Sequence, residues 1–173
     1  KLNKIREVDT ISNIVTLEGG CILQDVNDKL EPLGLEMPIS LGSKGSCQIG
    51  GNIATNAGGL NVIKYGSIRS NILGIEAVLP NGEFHDDLKT IKKNNTGFDL
   101  KQLLIGSEGT LGIITAATLK IYKKPNERIV LVLSTEKISE TLEAYKIITK
   151  NFGELITAFK LMNKLSVNLT KEL

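Results

Sequence analysis

Two stretches concentrate residues suited to holding a ligand rather than to building a core. They are GSKGSCQIGGNIATNAGG at 42–59, with six glycines and no aromatic residue, and GSEGTLG at 106–112. Glycine clusters admit positive φ and let a ligand approach backbone where a Cβ would collide, at an entropic cost to folding that argues for a local use. Consecutive backbone N–H groups turned inward can cradle a phosphate or another anion, and Ser43, Ser46, Asn52, Thr55 and Asn56 add hydrogen-bonding side chains. The familiar nucleotide fingerprints do not fit. Gly42 and Gly45 are separated by two residues, so there is no GxGxxG, and Lys44 follows Ser43 rather than the glycine a P-loop requires. In GSEGTLG the glycines again recur at intervals of three, with Glu108 available to pair or hydrogen-bond.

Other chemistry-bearing residues are sparse. His85, Asp86 and Asp87 are adjacent, and adjacent residues on a strand alternate faces, so they read as a solvated hairpin edge and not as a metal site. His85 is the only histidine, and no nucleophile is placed beside it for a hydrolase triad. Cys21 and Cys47 lie too far apart for a CxxC unit and read as reduced apolar fillers, Cys47 within the glycine-rich stretch. These residues therefore offer neither a metal site nor a hydrolase triad. With 21 basic and 19 acidic residues the net charge is +2 and the lysines are scattered, which argues against a nucleic-acid partner. No apolar run is long enough to span a bilayer, and the chain reads as soluble. It begins with Lys1 and ends inside a helix-like pattern, so it reads as a piece of a longer protein.

The elements that would position these loops follow from periodicity. Residues 5–8 and 14–17 alternate as strands, and Ile22, Val26, Leu30 and Leu33 recur at helical spacing, giving a helix over 22–33 closed by Gly34. The glycine-rich stretch is too polar and small-sided to build core. A strand over 72–79 turns at Pro80, Asn81 and Gly82 into a second one at 83–85. Asp99 would cap a short helix over 100–104, and a strand runs from 113 to 122. Beyond Pro125 the pattern predicts a strand at 129–133, a helix with Ile138, Leu142, Tyr145 and Ile148 on one face, a further strand over 155–161 and a helix from Asn163. That order suggests a separate α+β layer from about residue 126.

Taken in order, MPISLGSKGSCQIGGNIATNAGG, KYGSIRSNILGIEAVLPNGE and NNTGFDLKQLLIGSEGTLGIIT resemble the FAD-binding domain of the D-2-hydroxyglutarate dehydrogenase family. That family lies in the flavoprotein superfamily that includes D-lactate dehydrogenase and glycolate oxidase. The resemblance continues into FGELITAFKLMNKL, similar to the start of the family's substrate domain. LGSKGSC, KKNNTGFDLKQLLIGSEG and ELITAF favour the hydroxyglutarate branch. Ser40, Gln48, Phe98 and Leu104 depart from the family's usual acidic residue, histidine, tyrosine and phenylalanine.

The resemblance implies an α+β fold: the second subdomain of a PCMH-type (vanillyl-alcohol-oxidase-like) FAD-binding domain over 1–125, and the start of a ferredoxin-like α+β cap domain over 126–173. It implies that Pro38, Leu41, Gly42, Gly45, Ser46, Ile49, Gly50, Asn52, Thr55, Asn56, Gly58, Gly59, Gly66, Glu108, Gly112, Ile113 and Ile114 line the FAD groove. It further implies a D-2-hydroxy acid as substrate, oxidised with hydride passing to flavin N5, and a separate electron acceptor. A divalent metal, zinc by preference, would be held by residues outside this chain, and the location would be mitochondrial in a eukaryote and cytoplasmic otherwise. Family members hold the FAD pyrophosphate with a glycine loop upstream of the first strand seen here, so the isolated chain is expected to bind FAD weakly or not at all. The alternatives are a D-lactate or glycolate dehydrogenase of the same superfamily and a non-catalytic flavin-binding module.

Overall fold

The computed structural model describes residues 2–171. Strand β1 (Ile5–Asp9) pairs antiparallel with β2 (Ile14–Glu18). Their turn is held by the Asp9 carboxylate, which accepts the N–H groups of Ile11 at 2.8 Å and Ser12 at 2.9 Å. Helix α1 (Leu23–Leu30) follows, then a two-residue strand β3 (Leu35–Glu36), two short helices α2 (Ile49–Ala54) and α3 (Val62–Tyr65), and strand β4 (Ile72–Val78). The Pro80-Asn81-Gly82 turn leads into β5 (Phe84–Asp87), with Gly82 N–H on Leu79 O at 2.9 Å. Helix α4 (Lys101–Leu104), β6 (Ile113–Lys120) and β7 (Tyr122–Lys123) complete the first 125 residues. The main sheet is antiparallel, in the order β1-β2-β6-β4-β5, and β3 pairs with β7 beside it. Helices packed on an antiparallel sheet make the expected α+β class.

One face of this sheet carries the core. Val15 and Leu17 of β2 oppose Leu119 and Ala117 of β6, and Leu23, Val26 and Leu30 of α1, all fully buried, pack in the same cluster. The helix predicted to reach residue 33 stops at Leu30. Pro32 sits in the tighter turn that follows, and Gly34 closes it at φ 67°. The glycine-rich stretch was expected to contribute nothing to the core, and here the structure differs. Its residues 49–54 form α2, whose Ile49 and Ile53 are both fully buried. Two isoleucines four apart lie on one helical face, and burying both stabilises a turn that its glycines alone would disfavour. Asp99 does not cap α4. Its carboxylate instead takes hydrogen bonds from the side chains of Lys101 and Gln102.

The opposite face of the sheet is polar, with Thr16, Glu18, Glu76 and Thr118 buried on it. Arg6 forks onto Glu76, at 2.7 and 3.2 Å, and lies 3.4 Å from Glu18, while the Thr115 hydroxyl donates to Glu76 at 2.5 Å. Hydrogen bonding from Arg6 holds the Glu76 carboxyl below the ordinary glutamate range, against burial, which pushes it up. A depressed carboxylate stabilises the fold fully above its unfolded value, about 4.3 for glutamate, and that contribution is lost as pH falls through the folded value. Glu76→Gln is therefore expected to lower the melting temperature at pH 7 and to flatten its decline between pH 5 and pH 3, measured by thermal melts across that range.

Beyond Pro125 the predicted helices form, as α5 (Ile138–Phe152) and α6 (Lys164–Lys171). The predicted strands at 129–133 and 155–161 do not. Five consecutive apolar residues make a strand only when a partner supplies the ladder and both faces are covered. Ile129 to Leu133 are 60–86% exposed, and no strand pairs with them among the described residues.

Candidate functional site

Helix α2 is the point on which the two glycine stretches converge. Residues 44–48 run beside the starts of α1 and α2, with Leu23 N–H on Cys47 O at 3.1 Å and Gln24 N–H on Lys44 O at 2.9 Å. Ser40 bridges to Gly59 and accepts Leu60 N–H at 2.9 Å. The 106–112 loop docks on the last turn of α2, with Gly106 N–H on Ile53 O at 3.1 Å and Glu108 N–H on Ala54 O at 2.9 Å. These bonds occupy the helix's terminal carbonyls, which have no partner within the helix itself.

The residues singled out in the sequence occupy different depths in this cluster. Gly42, Gly45, Ser46, Thr55, Gly59, Glu108 and Ile113 are exposed, and Leu41, Gly50, Asn56, Gly58, Gly66 and Ile114 are half-buried. Pro38, Ile49, Asn52 and Gly112 are buried. The Ile49 side chain is wholly enclosed in the core, so it has no apolar surface to present to a groove. The polar side chains are already engaged: Ser46 donates to Ser43 O, Thr55 to Gly51 O and Asn52 O, and Asn52 to the Cys47 sulfur at 3.5 Å, while the Asn56 carbonyl accepts Arg69 N–H. The glycines also divide. A Cβ on Gly50 would stand 3.1 Å from the carbonyl oxygens of both Gly19 and Ile114, so this glycine lets α2 approach β2 and β6. Added at Gly42, Gly45 or Gly51, a Cβ would meet nothing within 4 Å, and these three leave backbone uncovered.

Three residues of this region have no signature in the sequence. Gly19 makes the close contact with α2. Arg69 reaches the carbonyls of Gln102 and Ile105. Ser107 has a buried hydroxyl without a partner in the second glycine loop. An isolated arginine, serine or glycine carries no spacing pattern, and only the long-range contacts single these out.

Among the described residues no group of three or more His, Cys, Asp and Glu side chains could hold a metal ion. His85 lies opposite Ala77 in the β4–β5 ladder. It borders a cavity of about 430 Å³ lined by Leu79, Pro80, Leu100, Leu103, Leu104 and Leu111, and its Nε2 is buried without a hydrogen-bond partner. An unsatisfied buried polar atom costs about 1–3 kcal/mol, so His85→Leu is expected to stabilise the chain by about 1 kcal/mol in urea unfolding. No helix among the described residues is long and apolar enough to cross a membrane.

Comparisons with known proteins bear on this arrangement. Residues 1–87 match the family model described as FAD binding domain. Over 171 residues the chain is 43% identical to a mitochondrial D-2-hydroxyglutarate dehydrogenase of Danio rerio, covering 99% of this chain and 32% of that protein. It is 41% identical over 170 residues to the Bos taurus protein of the same name, covering 98% and 31%. A mitochondrial protein of Schizosaccharomyces pombe named as a D-lactate dehydrogenase is 43% identical over 168 residues, covering 97% and 32%. The chain thus spans about a third of the length of these relatives. Among solved structures, alkyldihydroxyacetonephosphate synthase superposes with a TM-score of 0.63 at 28% identity, over 73% of this chain and 22% of that one. With a family model matched over half its length and the fold shared with a solved relative, the chain belongs to the FAD-binding domain family.

Proposed function

We propose that this chain is part of an FAD-dependent dehydrogenase that oxidises D-2-hydroxyglutarate to 2-oxoglutarate, and that it forms one wall of the flavin groove. The observation that carries this reading is the 43% identity to a D-2-hydroxyglutarate dehydrogenase maintained over 99% of the chain, through both glycine stretches and into residues 126–173. The site's chemistry fits the cofactor. The backbone at Gly42, Gly45 and Gly51 is uncovered, and the second loop holds a hydroxyl, Ser107, with no partner.

FAD, when bound, supplies the two-electron acceptor that no amino-acid side chain provides. This chain's own residues bind and orient it. The 42–46 segment offers bare backbone and Ser46, the 55–59 segment Thr55, Asn56, Gly58 and Gly59, and Glu108 to Ile114 the second edge, while Pro38, Leu41, Gly50, Asn52 and Gly66 hold these segments in place. Residues 1–125 then belong to the flavin domain and 126–173 begin the substrate domain. The base that takes the hydroxyl proton, a divalent metal site and the electron acceptor's docking surface lie elsewhere in the protein, which in a eukaryote is mitochondrial. D-lactate is the second candidate substrate, favoured by the similarity to the Schizosaccharomyces pombe protein.

The test is anaerobic addition of each 2-hydroxy acid to the complete protein that carries this chain, followed by flavin absorbance. Bleaching by D-2-hydroxyglutarate at micromolar concentration and not by D-lactate supports the proposal. The reverse order of potency transfers the protein to the lactate branch, and absence of any flavin rejects both. Gly51→Ala probes the groove itself. Gly51 lies within α2 and is exposed, so alanine there is expected to stabilise the unliganded protein by about 0.5–1 kcal/mol. The same methyl group is expected to weaken FAD binding, measured by flavin titration, because it covers backbone the flavin would meet.

A further inference from the structure

We infer that Arg69 is a positioning residue that holds the 106–112 loop in its ligand-receiving shape, an inference that rests on the flavin reading of that loop. Arg69 follows the turn at Gly66, and it binds the first glycine stretch and the residues that lead directly into the second. Its backbone N–H donates to the Asn56 side chain at 3.3 Å. Its Nη1 donates to Gln102 O at 2.9 Å and to Gln102 Oε1 at 2.7 Å, and its Nη2 donates to Ile105 O. Those carbonyls sit in and just beyond α4, where helix geometry leaves C=O groups without partners and where a cation is favoured.

The fork is planar and its donors are fixed in direction, so it specifies where residues 102 and 105 sit relative to residue 56. Gly106, the first residue of the loop, has φ 80°, and a Cβ there would stand 3.1 Å from Arg69 Nη2. The loop therefore begins against the guanidinium itself. From that start Gly106 and Glu108 donate to the carbonyls of Ile53 and Ala54, so Arg69 and the end of α2 grip the loop from two sides. Among the described residues no carboxylate pairs with Arg69. All its hydrogen-bond acceptors are neutral, and it stands beside a loop proposed to face an anionic dinucleotide.

Arg69→Lys keeps the charge and loses the fork, whereas Arg69→Gln loses both. They are compared in the complete protein with Lys124→Ala, which breaks only a surface pair with Glu31. Both Arg69 variants are expected to speed amide hydrogen exchange over 102–112 without change in the main sheet, to weaken FAD binding about tenfold or more, and to alter the visible circular dichroism of bound FAD. Arg69→Gln is expected to weaken binding more than Arg69→Lys. Lys124→Ala should do none of these. Unchanged exchange over 102–112, or FAD affinity and dichroism equal to wild type, overturns the inference. A wild-type protein that holds no FAD overturns the flavin reading instead, and exchange on the unliganded protein still decides whether Arg69 fastens the loop.

Discussion

Replacing Gly19 by alanine is expected to destabilise the chain by about 3 kcal/mol, the upper part of the usual range for forcing atoms into a packed site. The added Cβ would stand 2.5 Å from the carbonyl oxygen of Ile114, 3.4 Å from that of Thr115 and 3.5 Å from the Gly50 Cα. All three are backbone atoms, so no flexible side chain can swing away to make room. Nor can residue 19 retreat easily, because its N–H donates to Thr115 O at 2.7 Å and its carbonyl accepts Gly50 N–H at 2.7 Å. Relief requires β6 or the first turn of α2 to move, and both carry the candidate groove. Against a typical total stability of about 5–15 kcal/mol the loss is large. Urea unfolding should show a lower midpoint with an unchanged slope, and Gly45→Ala, whose Cβ meets nothing within 4 Å, should leave the midpoint nearly unmoved. A loss below about 1 kcal/mol at Gly19, within the range of ordinary surface changes, would mean that the junction relaxes freely.

The parts of the fold legible from the sequence are those whose signals are local. The 72–87 hairpin follows from its turn residues, and α1 from apolar residues at helical spacing, although it ends at Leu30, before the glycine expected to close it. Helix α2 was not legible, because only Ile49 and Ile53 mark it, among glycines with poor helix propensity, and a short helix gains its stability from the surface it packs on. The 129–133 segment misled in the opposite sense: its apolar run satisfies the local signal for a strand, while the ladder partner is a matter of tertiary structure. The candidate site divides along the same line. Composition marked both glycine stretches. It could not distinguish Gly50, which meets other backbone, from Gly42, Gly45 and Gly51, which meet nothing, and it could not find Arg69, whose guanidinium has acceptors more than thirty residues away.

Ile53→Ala is expected to cost about 3–4 kcal/mol, within the range seen when a buried aliphatic side chain is cut back to alanine and the cavity only partly closes. Ile53 is fully buried in the cluster that joins α2 to the sheet. Its carbonyl also accepts the N–H groups of Asn56 at 3.0 Å and Gly106 at 3.1 Å, so a shift of α2 reaches both glycine stretches together. The comparison that gives the experiment its force is Ile113→Ala, which removes the same atoms from a side chain 69% exposed and is expected to fall within about 0.5 kcal/mol of wild type. If urea unfolding finds the two substitutions equal, α2 contributes no core and 42–59 is an ordinary surface loop. If Ile53→Ala alone collapses stability, the glycine-rich stretch is anchored by the two isoleucines in its middle. Its open backbone at Gly42, Gly45 and Gly51 is then held rigidly enough to bind a ligand without first having to be ordered by it.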